Sequence, residues 1–102
     1  MTLVKVANKG DVQPGRGCLV RCAGKELALF THEGQIYALD NECAHLGGPL
    51  ADGIVHGAVV TCPWHDWSYD MRDGKEVMGQ GAVKSFRVQV EGDDVLVDPD
   101  AA

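Results

Sequence analysis

A chain of 102 residues is long enough for one small core and too short for two, so a single domain over 1–102 is expected. With 45% hydrophobic residues, 24% charged residues and 13 glycines it reads as a soluble globular chain, and no apolar run approaches the roughly 18–20 residues that span a bilayer. Nine Lys and Arg against fifteen Asp and Glu leave a net charge of −6, which opposes nucleic-acid binding; ten of the fifteen acids lie in residues 52–102.

Apolar and polar residues alternate in short segments, and no stretch keeps a helical spacing without a glycine or proline, which predicts an all-β fold. In chain order, strands are expected at 2–7, 18–22, 26–31, 35–40, 58–61, 68–71, 83–91 and 95–98. The opening segment reads as a strand and not as a leader with a long apolar run and a cleavage site, so a cytoplasmic protein without membrane attachment is expected. Cys18 and Cys22 share one face of their strand with Val20, the pattern of core packing. Glu33-Gly34, Asp73-Gly74 and Glu91-Gly92-Asp93-Asp94 supply glycine and short polar side chains for tight turns. His32 and His56, each beside a turn glycine, read as turn or surface residues. In the penultimate strand Phe86, Val88 and Val90 fall on one face.

Two stretches break the alternation, residues 43–53 and 62–67, and long loops on a small β scaffold usually carry binding. Each holds one Cys and one His: Cys43-x-His45 and Cys62-x-x-His65, with sixteen residues between His45 and Cys62. Chance places both patterns in a chain of this composition with an expectation of roughly 0.02. A reducing compartment argues against a disulfide framework and for ligands. A Cys2His2 set suits tetrahedral zinc, so a zinc-binding interaction module is one reading, yet zinc fingers commonly pair Cys with Cys and His with His. Here the order is Cys, His, Cys, His, so each loop is able to give its Cys to one metal and its His to a second. A [2Fe-2S] centre with two cysteines on one iron and two histidines on the other meets that arrangement.

Cys43-Ala-His45-Leu-Gly-Gly-Pro-Leu and Cys62-Pro-Trp-His65-Asp-Trp-Ser-Tyr-Asp resemble the two cluster-binding boxes of Rieske proteins. Nearly the whole chain resembles the stand-alone Rieske-type ferredoxins of bacterial aromatic-ring dioxygenase systems. The resemblance implies a β-sandwich or open barrel carrying a cluster-binding subdomain of about 41–69. It implies that Cys43 and Cys62 hold the inner iron of one [2Fe-2S] cluster and that His45 and His65 hold the outer one. It also implies a one-electron carrier, not itself an enzyme and monomeric in isolation. That carrier would pass electrons from a flavin-dependent NAD(P)H ferredoxin reductase to a terminal oxygenase of aromatic hydrocarbon catabolism. The alternative within the same fold is the small subunit of an assimilatory nitrite reductase.

Imidazole ligation leaves the oxidised centre formally neutral and places such clusters at roughly −150 to +300 mV, against about −400 mV for plant-type ferredoxins. Respiratory Rieske proteins tie their loops with a disulfide at what correspond here to Gly48 and Trp64, so that disulfide is impossible in this chain. They also carry a serine where this chain has Trp67, and losing that hydroxyl predicts a potential at the low end of the range. Tyr69, where many dioxygenase-type ferredoxins have phenylalanine, would raise it through a hydroxyl near a cysteine sulfur. Asp66, where the family often has glycine, reads either as backbone tolerance or as a negative charge that would lower the potential. Trp64 and Trp67 bracket His65 and read either as packing residues that keep water from the cluster, the favoured reading, or as contact residues for a partner.

Overall fold

The computed structural model describes residues 3–43, 48–64, 67–79 and 81–99. It is all-β, with nine strands among the described residues: β1 Val4–Asn8, β2 Cys18–Cys22, β3 Lys25–His32, β4 Gln35–Asp40, β5 Ile54–His56, β6 Val59–Thr61, β7 Ser68–Asp70, β8 Ser85–Glu91 and β9 Asp94–Asp98. Two short 3-10 turns, Lys9–Asp11 and Leu50–Asp52, complete the regular structure. Six strands form one antiparallel sheet in the order β1-β9-β8-β4-β3-β2, whose outer strands β1 and β2 approach each other, so the sheet nearly closes into a barrel. The other three, β5-β6-β7, form a separate small antiparallel sheet.

The hairpin turns follow from residue chemistry. β3 and β4 are joined at Glu33-Gly34, both with positive φ (52° and 80°), the primed-turn geometry that matches strand twist. The same geometry recurs at Ala23-Gly24 between β2 and β3, where an alanine takes the left-handed conformation at φ 52°. Asp73-Gly74 does not join two strands; it returns the chain so that Glu76 forms a single bridge to Tyr69. The expected strand at 83–91 begins at Ser85, because Val83 and Lys84 bond instead to Gly74 and Asp40.

β3 explains how one sheet serves two cores. Leu27, Ala28, Leu29 and Phe30 are all fully buried, the run expected of a strand covered on both faces. Leu27 and Leu29 enter the barrel interior with Val20, Cys22, Ile36, Ala38, Phe86, Val95 and Val97. Ala28 and Phe30 point the other way, to a second core with Leu39, Leu50, Val60, Tyr69, Met71, Cys43 and Cys62. Each large side chain so buried contributes about 1.5–3 kcal/mol, so the small sheet is held to the barrel by packing. Cys22 and Val20 are buried in the barrel core and Cys18 packs at its margin, as the alternation predicts. Burial pushes the Cys18 thiol up from its ordinary range, which suits packing and not reactivity.

β5, which falls between the loop at 43–53 and the strand expected at 58–61, pairs with β6 across Ile54↔Thr61, Val55↔Val60 and His56↔Val59. His56 is exposed, and His32 lies 3.7 Å from the Glu33 carboxylate, both positions of turn or surface residues. Among the described residues no helix is long and apolar enough to cross a membrane.

Candidate metal centre

The first loop leaves the end of β4 through Asn41, which is buried. Its backbone N–H donates to the Glu26 carbonyl on β3 (3.0 Å), its carbonyl accepts from Leu50 N–H (2.7 Å), and its Oδ1 accepts from Ala51 N–H (2.7 Å). One asparagine therefore fastens both ends of the loop to each other and to the barrel. Above it Glu42 bridges Pro49, and the Cys43 N–H donates to the Gly48 carbonyl at 2.9 Å. Sequence reasoning missed Asn41, since Asn before a loop signals only a turn.

The second loop leaves β6 after Thr61 and returns into β7 at Ser68, whose hydroxyls share a 2.7 Å hydrogen bond across its base. Here the Cys62 N–H donates to the Trp67 carbonyl at 2.9 Å. Both loops are thus closed in the same way, with a cysteine N–H bonded to the carbonyl five residues on. Each cysteine is fixed in backbone position before any ligand is considered.

Neither cysteine is in a disulfide; each is only 2% exposed, and both belong to the same core. The Tyr69 hydroxyl, on a ring buried completely in β7, lies 3.1 Å from Cys43 Sγ. Gly48, the far end of the first loop, packs directly on the second: a Cβ there would stand 2.7 Å from Cys62 Sγ and 3.2 Å from the Trp64 ring. Gly48 and Trp64 are therefore neighbours, as their correspondence to the respiratory disulfide positions predicts. The two tryptophans divide their roles. Trp67 packs on the core beneath the second loop, the first of the two expected roles, whereas Trp64 is 61% exposed, which suits the second. Trp64 stays outside because Gly48 and the buried Cys62 already fill the space between the loops.

His45, His65 and Asp66 lie outside the described residues, with Ala44, Leu46 and Gly47. What is described is the sulfur half of the expected ligand set, and its chemistry fits a [2Fe-2S] group. Two thiols outside any disulfide are shielded from water, a hydroxyl is placed to donate to one sulfur, and a glycine leaves room beside the other. Two open grooves flank Asp40 and Glu42: one of about 590 Å³ reaches Trp64, and one of about 350 Å³ is lined by Cys43, Ala82, Val83 and Lys84.

Residues 2–91 match the family model described as the Rieske [2Fe-2S] domain. The chain belongs to the Rieske [2Fe-2S] domain family. Its cofactor is accordingly a Rieske-type [2Fe-2S] cluster. It is 37% identical over 81 residues, 78% of either chain, to the ferredoxin component of the naphthalene 1,2-dioxygenase system of Pseudomonas aeruginosa. The solved ferredoxin of carbazole 1,9a-dioxygenase from Nocardioides aromaticivorans IC177 superposes with a TM-score of 0.90 at 28% identity, over 98% of this chain and 100% of that one. A chain from the complex of reduced oxygenase and oxidized ferredoxin in carbazole 1,9a-dioxygenase superposes with a TM-score of 0.88 at 27% identity, over 98% and 95%. These relatives are electron-transfer components and not the oxygenases themselves.

Proposed function

We propose that the 102-residue chain acts as a single Rieske unit, monomeric and cytoplasmic, that carries one electron at a time to a terminal ring-hydroxylating oxygenase. Its electrons would come from a flavin-dependent NAD(P)H reductase. Cys43 and Cys62 would hold one iron of the cluster from within the core, and His45 and His65 the other. The observation that carries this reading is the convergence of two identically closed loops, each beginning at a buried cysteine, on one another through Gly48. When bound, the cluster would supply a site that accepts and releases a single electron.

The chain's own residues set the conditions for that exchange. Asn41 and the two cysteine N–H bonds fix the loops, so little reorganisation accompanies a change of charge. Phe30, Leu50, Val60 and Trp67 exclude water from the sulfur side. The Tyr69 hydroxyl donates toward Cys43 sulfur and favours the more negative state. Trp64, exposed beside the second loop, offers an apolar contact to an oxygenase.

The test is reconstitution with a flavin-dependent reductase, NADH and naphthalene dioxygenase oxygenase. Hydroxylated product should form only when the purified red-brown protein is added. A protein that is colourless and binds one zinc would contradict the reading, and one that copurifies with a sirohaem subunit would move it to the nitrite reductase role.

A further inference from the structure

Two acidic side chains are buried among the described residues, Asp98 at the end of β9 and Glu76 beside the small sheet, each 4% exposed. Glu76 lies in the turn that follows β7 and is bound to that strand at several points. Its Oε2 accepts from Ser68 N–H (3.3 Å) and its Oε1 from Met78 N–H (2.8 Å). Its backbone N–H donates to Gly81, its carbonyl accepts from Gly79, and its Cα is the bridge partner of Tyr69. The next N–H, of Val77, donates to the Ser68 carbonyl at 2.8 Å.

The strand that holds Glu76 is also the strand that supports both cysteines. Tyr69, its register partner, touches Cys43 sulfur, and Trp67, one residue before Ser68, accepts the Cys62 N–H. A carboxylate with both oxygens taking backbone N–H bonds has the acceptor pattern of the ionised form. In a buried position its field is weakly screened by water or salt, and a fixed negative charge opposes the arrival of an electron.

We infer that Glu76 is a redox-tuning residue: a buried carboxylate paired in register with Tyr69 that holds the cluster's reduction potential down, against the upward pull of the Tyr69 hydroxyl. The inference rests on the cluster being bound by the two loops, as argued under the proposed function. It accounts for two influences of opposite sign meeting at one β-bridge, a residue whose hydroxyl favours the reduced state paired with one whose charge disfavours it. It also gives the 76–79 turn, which exposes Val77 and Met78, a fixed anchor on β7.

The experiment is voltammetry on the cluster-loaded protein with Glu76→Gln and Glu76→Asp, each checked by visible absorption and acid-labile sulfide. Glu76→Gln should make one-electron reduction about tenfold more favourable, which is 59 mV for a one-electron couple, with little change between low and high salt. Glu76→Asp, which keeps the charge, should stay within about twofold of the parent protein. An unshifted Glu76→Gln with an intact cluster would overturn the inference, as would an Asp variant that shifts as far as the Gln variant. If Glu76→Gln does not load, redox-difference infrared spectra of the parent protein with carboxyl-labelled glutamate decide. A glutamate carboxylate band that moves on reduction supports the assignment, and its absence overturns it. Absence of acid-labile sulfide from the parent protein would instead sink the underlying cluster reading.

Discussion

The two loops are closed by the same bond and supported by different means. The first, at Cys43, is fastened to the barrel: Asn41 joins Glu26 on β3 to Leu50 and Ala51, and Tyr69 crosses from the small sheet to meet the sulfur. The second, at Cys62, rests on the small sheet through the Thr61–Ser68 hydroxyl pair and is covered by Gly48 of the first. One loop therefore reports the integrity of the join between barrel and small sheet. The other depends on the first loop's shape. The two loops are therefore assembled in an order of dependence, with Asn41 beneath the first and Gly48 linking it to the second.

The harshest way to break this dependence is Gly48→Val. A branched side chain would stand against Cys62 Sγ and Trp64, where even a Cβ falls at 2.7 Å from the sulfur, so the loops must part. Iron and sulfide content should fall about tenfold or more while the far-ultraviolet β signal of the barrel persists. Full loading would show that the loops are not pressed together as described.

Asn41→Ala comes next. It leaves the buried Ala51 N–H without its 2.7 Å acceptor, a cost of about 1–3 kcal/mol. Denaturant unfolding of the loaded protein should show that loss, together with faster cluster release, because the first loop loses the tie to the residues that close it. A variant as stable as the parent would remove Asn41 from the support of the loop.

Tyr69→Phe leaves both loops in place, since the ring still fills its buried position. Only the hydroxyl near Cys43 is lost, so reduction should become about tenfold less favourable with little change in stability. An unchanged midpoint potential would separate the two loops electronically from β7.

The smallest effect is expected outside the loops, at Asp70. The Arg72 guanidinium bonded to it holds its carboxyl below the usual carboxylate range. A lowered folded value means stability that is present above the unfolded carboxyl pKa and lost as pH falls through the folded one. Because Arg72 is solvated, the contribution is modest. The stability gap between the parent protein and Asp70→Asn should be visible near neutral pH and fade below about pH 4, in urea melts. A gap constant down to strong acid would deny the pair any part in stability.

Much of this architecture is legible in the amino-acid order, for physical reasons that stop at identifiable places. The run Leu27 to Phe30 and the alternation around it announce β3, and Glu33-Gly34 announces the turn, because both depend on neighbours in sequence. Ile54, Val55 and His56 escaped reading as a strand because only three residues separate Gly53 from Gly57, and the pairing to Val59, Val60 and Thr61 is what makes them one. Cys43 and Cys62 were visible as ligand types at ligand spacings. Asn41 and Glu76 were not, since their importance lies in burial and in bonds to residues far along the chain or in a turn that no local pattern marks. The bracketing glycines at 53 and 57 were the one signal that could have revealed β5.

The central claim is that two thiolates from within and two imidazoles from the loop tips share one two-iron cluster. Pulsed electron paramagnetic resonance on the reduced protein grown with nitrogen-15 histidine tests it most directly. Two strongly coupled imidazole nitrogens should appear, and His45→Ala and His65→Ala should each remove one or abolish the cluster. A reduced spectrum with no histidine nitrogen coupling, or one unaffected by either substitution, would contradict the account.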